Sequence, residues 1–486
     1  MRTNAFAGAF SCMVALATMQ GKAQQPFDLD TTFRATITKK NVNSLLVMDD
    51  GKVVVSGRIY FPGDPPWDEK AGARLNLDGS RDLTFNTYAQ MGGKLTRWND
   101  RIYAQNGNGV RRLMLDGILD NNFIPLNLGP YFSTGQGGDY HVYPDGRVLL
   151  AGWHSLQDTI RGFTGLHSLV WMSNTGYLDT TRTHRVGNNA IYTIKEQPDG
   201  KFLCSGLCTV YDGQPVGSVF RVEADGALDT TFLPDLPYGM AFSFTVLGDG
   251  RVIASGYFLP SGSTDTLKLI RLMPDGALDA TFNNDLSAPR ETFGAYSPMW
   301  HTRLTDGRIV IHGQFYEVED QVRNGVALLD ADGNLQSDAF FGEGCGDYND
   351  GFSVLHASVG MVPDAIGNWY LYGAYVGYDD GTTNDTQQRF VSRLHGLNVG
   401  VEERELPLQL QVYPNPSYGQ MQVQLPGGVQ RATLRVLDAQ GRLVQEQEVQ
   451  NNTHTLDLRG QAPGIYAVRV RTEQGRVGHA LVVVEQ

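Results

Sequence analysis

Cysteine is scarce. The 486-residue chain has 4, and with Cys12 inside the N-terminal leader only Cys204, Cys208 and Cys345 remain. A small odd number in an exported protein is no disulfide scaffold. Cys204 sits in an apolar run and Cys208 lies beyond Gly206, about 13 Å away along an extended chain, so both are expected as buried thiols. Charge is also low, at 19% of residues, and its balance is acidic: 39 Lys+Arg against 52 Asp+Glu, a net −13. That balance repels phosphate backbones and anionic lipid, which argues against nucleic acid or a membrane surface as partner. Beyond the leader no run approaches the ~20 unbroken apolar residues of a membrane span. Missing too are HExxH, Cys/His zinc spacing, a GxSxG elbow and a P-loop. What abounds is glycine, 57 residues, which suits many tight turns between short strands.

The first residues, MRTNAFAGAFSCMVALATMQGKAQQ, read as a signal peptide. Arg2 makes a positive start, an apolar stretch follows, and Gly21-Lys22-Ala23 offers a small-x-small site with cleavage after Ala23. Cys12 has too little apolar sequence before it for a lipoprotein signal. Residues 1–23 are thus leader, and the mature chain is expected to be exported, with no transmembrane segment.

Two phrases recur. The first reads DGKVVVSG from Asp50, DGRVLLAG from Asp145, DGKFLCSG from Asp199, DGRVIASG from Asp249 and DGRIVIHG from Asp306. The second ends at Phe85, Phe123, Phe232, Phe282 and Phe340, as in ADGALDTTF. Asp-Gly supplies the positive φ of a tight hairpin, and the unalternated apolar run marks a strand buried on both faces. The glycines of the two phrases stand 28 residues apart from Gly51 to Gly79, 30 from Gly146 to Gly176, and 26 in the three later pairs. With two worn units, near Asn99-Asp100 and Asp364–Gly373, seven units of about fifty residues fit four-stranded propeller blades, although a count of six stays open. The mature chain opens on Phe27-Asp28-Leu29-Asp30-Thr31-Thr32-Phe33, a second phrase without its hairpin, whereas the last unit ends at Arg393-Leu394-His395 without its second phrase. Both termini are therefore expected in one blade, which would close the ring and remove an exposed edge.

The phrases, with intervening stretches such as TVYDGQPVGSVFRVEADGALDTTF from Thr209, resemble the delta-60 repeat family of β-propeller-like bacterial proteins. The resemblance covers most of residues 27–400 and implies a fold but no shared activity. The expected propeller spans 24–400, followed by a charged, Pro-containing linker at 401–407.

From residue 408 the physics changes. LQLQVY, MQVQLP, ATLRVLD and YAVRVRT alternate apolar and polar residues, as in a small immunoglobulin-like antiparallel β-sandwich over 408–486. Tyr413-Pro414-Asn415-Pro416, then Gly441-Arg442, then Pro463-Gly464 and Tyr466, resemble the C-terminal sorting domain of the type IX secretion system. That resemblance implies the secretion machinery as partner, export across the outer membrane and removal of the tail. A mechanical reading stands beside it, because the prolines end a strand and the glycines serve turns.

Candidates for chemistry are few. The ten histidines are scattered, and His312 occupies a small-residue slot in a buried strand. Ser56, Ser205 and Ser255 repeat across units, as do Asp50, Asp145, Asp199, Asp249 and Asp306 and Asp82, Asp120, Asp229 and Asp279, so all are read as structural. Two irregular acidic loops carry oxygens for calcium: Asp347, Asn349 and Asp350 in one, Asp379, Asp380 and Asp385 in the other. Neither keeps EF-hand spacing, and solvated insertion is the favoured reading. Trp67, Tyr131-Phe132, Trp153-His154 and Trp300-His301 are candidates for stacking on sugars, against ordinary packing. The expectation is a monomeric, non-enzymatic surface or secreted propeller that binds a glycan or protein through loops on one face. The alternatives are a polysaccharide hydrolase or lyase and a plain adhesion spacer.

Overall fold

The computed structural model of the protein describes residues 25–485, apart from 66, 87–90, 108, 125–131, 289–297, 341, 350, 352–353, 356, 398–409, 426–430, 439–442, 450–452 and 473–476. Ala23, Tyr131, Asp350, Gly441, Arg442 and the 401–407 linker lie outside the described residues. The described residues are all-β, and the chain divides into two compact units at 398/399.

Among the described residues of the first unit, seven antiparallel sheets of three or four strands follow one another along the chain, with three two-stranded sheets beside them, so the count is seven blades. Their first strands are Lys39–Val47, Leu95–Trp98, Phe132–Val142, Ile191–Glu196, Tyr238–Val246, Met299–Arg303 and Ala357–Pro363. Each blade is built on a three-stranded meander, to which blade seven adds the short strand Gly344–Cys345, and in most a short bridge from the second phrase extends it, as at Leu75↔Arg81 and Leu272↔Leu278. Neighbouring blades touch around the ring, and Lys39–Val47 of blade one lies against Ala357–Pro363 of blade seven.

The doubly apolar second strands have a packing cause. In blade one, Val53 and Val55 join a cluster with Tyr370 and Val391 of blade seven, while Val54 between them joins Ile102 and Leu113 of blade two. Blade five repeats this, with Val252 and Ala254 toward blade four and Ile253 toward blade six. Alternate side chains of one strand therefore serve two neighbours, and each buried aliphatic contributes about 1.5–3 kcal/mol. Cys204, Cys208 and Cys345 are free, buried thiols within these clusters.

The glycine ending the first phrase answers a β-bulge on the facing first strand. In blade five the register slips between Ala241 and Ser243, and a Cβ on Gly256 would stand 2.0 Å from the Met240 carbonyl oxygen. Gly256→Ala is accordingly expected to destabilise the ring by about 1–3 kcal/mol or more, read as a lower melting temperature, whereas alanine at the open Gly248 should cost far less.

The second phrase is a latch between blades. In blade four the Arg221 guanidinium donates to Asp229 at 2.7 Å, lies 4.7 Å over the Phe232 ring, and donates to the Pro274 carbonyl of blade five at 3.0 Å. Arg271, Asp279, Phe282 and the Ala331 carbonyl repeat the set one blade on. Asp82 and Arg74, and Asp120 and Arg112, do the same in blades one and two. Burial alone would raise these carboxyls. Hydrogen bonds from the paired Thr or Asn and the cations instead hold Asp82, Asp229 and Asp279 well below the usual range, and lower Asp120 as well.

Blade seven receives the same parts from the other end of the chain. Leu29 bridges Leu394, Arg393 donates to Asp30 at 2.7 Å, and its guanidinium lies 5.2 Å over Phe33. Arg393 also donates to the Leu77 carbonyl of blade one, at 3.0 Å. The N-terminal phrase therefore completes the last blade and closes the ring.

The second unit holds a three-stranded and a four-stranded antiparallel sheet around one apolar cluster that includes Met421, Val423, Leu456, Leu434, Val468 and Val482.

Candidate functional site

Strand polarity gives the ring two unlike faces. The turn between first and second strands and the turn after the third strand fall at the same end of each blade, and both are mostly Asp-Gly. That face repeats itself. The opposite face carries the connections from second to third strand, which vary more in length and sequence: 61–69 in blade one, 260–266 in blade five, and 207–218 and 314–325 in blades four and six, the last two sharing a small hairpin (Val210–Tyr211/Gln214–Pro215 and Glu317–Val318/Gln321–Val322). Trp67 stands here, 84% exposed.

The first strands surround the axis of the ring, and a cavity of about 450 Å³ opens along those of blades two to five. Lys94, Asp139, Tyr192, Lys195, Phe242 and Ser243 line it. Three of the six reach it by one device. The register skips Tyr192 between Ile191 and Thr193, Phe242 between Ala241 and Ser243, and Gly138-Asp139 between Gly137 and Tyr140. A β-bulge re-aims its extra residue out of the ladder. Asn43 and Val359 are the bulge residues of blades one and seven.

Flanking positions do structural work. Ser44 accepts the Leu95 amide of blade two, and Thr193 donates to the Ala241 carbonyl of blade five. Ser243 is the blade-five copy of that position. Its hydroxyl lies 2.9 Å from His301 Nδ1 and accepts the His301 amide. The pair has the look of a nucleophile and base, but His301 Nε2 faces Thr245 rather than a carboxylate. Burial, then Lys195 nearby, pushes His301 down to about 3, which makes it a poor base. It is an inter-blade tie. His312 is a buried core histidine bonded to Thr302, and burial pushes it down to about 3. Ser205 donates to the Ser218 carbonyl, and Asp50, Asp145, Asp199, Asp249 and Asp306 cap their own turns.

The carboxylates at the opening are Asp139 and, one strand on, Glu196. Lys94 donates to Asp139 at 2.7 Å, and Glu196 lies 3.4 Å from His141. Asp380 and Asp385 belong to ring closure: Asp380 accepts the amides of Leu29, Thr382 and Thr383, and Asp385 pairs with Arg34. Asp379 accepts the Gly381 amide and Asn349 the Gly351 amide. Asp347 sits two residues before Asn349 in the other loop. Among the described residues no group of three or more His, Cys, Asp or Glu side chains is placed to hold a metal ion. Of the aromatics, Trp67 is open to solvent, Phe132 stacks on His154, and Trp300 packs 5.8 Å from Phe242.

The bulge residues escape a reading by alternation, yet they leave a signal. Gly138, Asn43, Tyr192, Phe242 and Val359 each precede the phrase-ending glycine (Gly152, Gly57, Gly206, Gly256, Gly373) by 14 positions. The latch arginines leave one too, since Arg74, Arg112, Arg221 and Arg271 each stand 8 residues before their aspartate.

In the second unit the YPNP motif stitches the last strand. Asn415 Nδ2 donates to the Leu481 carbonyl at 2.9 Å and its Oδ1 accepts the Val483 amide at 2.8 Å. Both Tyr413-Pro414 and Asn415-Pro416 are cis. Tyr466 Oη donates to the Ala462 carbonyl, holding the Pro463-Gly464 corner against its strand.

Comparison with known proteins agrees with both units. Residues 411–484 match the secretion system C-terminal sorting domain. Residues 197–232, 247–282 and 304–336 match the β-propeller domain of unknown function DUF5122. No curated protein matches. Among solved structures, PorZ, a surface component of the type IX secretion system of Porphyromonas gingivalis, is 13% identical with a TM-score of 0.35 over 96% of this chain and 61% of its own. The extracellular domain of the putative one-component system BT4673 from B. thetaiotaomicron is 12% identical with a TM-score of 0.39 over 95% and 58%. The chain thus spans about three fifths of either protein's length, and neither likeness bears on function. Residues 411–484 are a type IX secretion system C-terminal sorting domain, and the seven-bladed ring before it is a β-propeller that matches DUF5122 within residues 197–336.

Proposed function

We propose that the protein is a binding module, exported behind its signal peptide and delivered to the cell surface or the medium by its sorting domain. In this reading it recognises a glycan or another surface protein through the irregular face and central opening of the propeller. The observation that supports it is the asymmetry of the ring. One face repeats the same Asp-Gly turns, whereas connections of more varied length and sequence gather on the other, around an opening lined by bulge residues. Loops on a rigid scaffold are where recognition concentrates. Deleting residues 408–486 should leave the propeller in the periplasm, read by fractionation against the full chain.

A glycan-array screen of the full mature chain tests the binding role, run with calcium and with chelator. Reproducible hits support sugar recognition, and a blank array moves the reading to a protein partner. Because Asp380 and Asp385 already serve protein donors, chelator is expected to change neither the hits nor the melting temperature. Loss of either with chelator would make the acidic loops calcium sites.

A further inference from the structure

The opening is more cationic than the chain around it. Against a net −13 for the whole sequence, the main cavity is lined by Lys94 and Lys195 with Asp139 as its acid. Lys94, just before Leu95–Trp98, spends its charge on Asp139. Lys195 does not: it is exposed, it lines both the main cavity and a neighbouring one, and it makes no ion pair among the described residues. A free ammonium between low-dielectric walls focuses a positive field where an anion would enter.

Beside it stand two bulge residues with ring faces. Tyr192 and Phe242 lie on the first strands of blades four and five, line the same cavity and are both partly exposed. The bulge recurs with its partner glycine while the residue it presents changes: Asn43, Gly138 with Asp139 beside it, Tyr192, Phe242, Val359. A repeated device with a varied side chain is how a fixed scaffold sets specificity. Aromatic faces suit the apolar face of a sugar ring.

We propose that the central opening is an acidic-sugar site, with Lys195 anchoring the carboxylate or sulfate and Tyr192 and Phe242 supporting the sugar ring. This rests on the reading of the propeller as a binding module and names its ligand class. The ammonium supplies charge recognition and the bulge aromatics supply shape.

Calorimetric titration of the full mature chain tests it with three probes: oligogalacturonate, its neutral methyl ester, and a sulfated dextran oligosaccharide. At least one acidic probe is expected to bind, about tenfold or more tighter than the ester, with affinity falling as salt rises. Lys195→Gln should weaken the acidic probe about tenfold and leave the melting temperature unchanged, and Lys195→Arg should restore binding. Tyr192→Ala should weaken every probe that binds. Which acidic probe binds tells carboxylate from sulfate. Equal binding of acid and ester, or indifference to Lys195→Gln, overturns the acidic-sugar assignment and leaves the binding reading in place. No binding of either acidic probe also overturns it, and the array then decides the broader reading on its own.

Discussion

Deleting residues 25–33 from the mature chain is expected to abolish the cooperative melting of the propeller. Phe27 and Phe33 are fully buried, and Leu29 is held by the Leu394 bridge and by Asp380. Emptying each phenylalanine site costs about 3–5 kcal/mol. Stranding the Arg393 guanidinium without Asp30 costs about 3–5 kcal/mol more. The loss matches or exceeds the ~5–15 kcal/mol that commonly holds a protein folded. It also bares strand Asn384–Leu394 as an open edge. Asp30→Ala alone should lower stability by about 3–5 kcal/mol, because it breaks the closing latch and leaves the rest of the strand. Scanning calorimetry of the two variants against the intact chain checks both. A truncated chain that melts at the intact temperature would mean the ring does not depend on its N-terminal strand.

Acid should loosen the ring well before its carboxylates titrate. Burial pushes His141, His154 and His184 down to about 4 and His301 and His312 down to about 3, with smaller contributions from Lys94 at His141 and Lys195 at His301. An unfolded histidine titrates near 6.5. Below that pH the unfolded chain takes protons that the folded chain refuses, so stability falls as pH drops from about 6.5 toward 4. The cost is about 1.4 kcal/mol per pH unit for each group, or about 2 kcal/mol each at pH 5 and on the order of 10 kcal/mol for the five. The latch aspartates act later. Their folded values lie below the unfolded one, so their contribution persists until pH falls below about 4. Melting temperature is therefore expected to drop steeply between pH 6.5 and 5. A flat profile down to pH 4.5 would contradict the burial of these imidazoles.

Much of this architecture is legible in the chain because local chemistry and global position coincide. Asp-Gly-Arg followed by Val-Ile-Ala-Ser-Gly encodes both a hairpin and a strand apolar on two faces, and the neighbouring blades satisfy the second requirement. Phe27–Phe33 could be assigned to blade seven because a second phrase without a hairpin has no other partner. The latch was half visible: Asp229 reads as a turn former, but its hold on Arg221, and through it on the Pro274 carbonyl, depends on how two blades meet. The opening was least visible. Tyr192 and Phe242 break the alternation of their strands, and in a sequence an extra residue looks like noise until register shows it opposite a glycine. The tail motif was plain as a pattern, while the pairing of Asn415 with the last strand emerged only from the fold.

The most direct test of a recognition face is hydrogen exchange of the full mature chain, free and with the ligand that the array identifies. Protection is expected over residues 137–139, 191–195 and 240–244 and in the irregular second-to-third-strand loops. Protection confined to the Asp-Gly turns of the opposite face would contradict it.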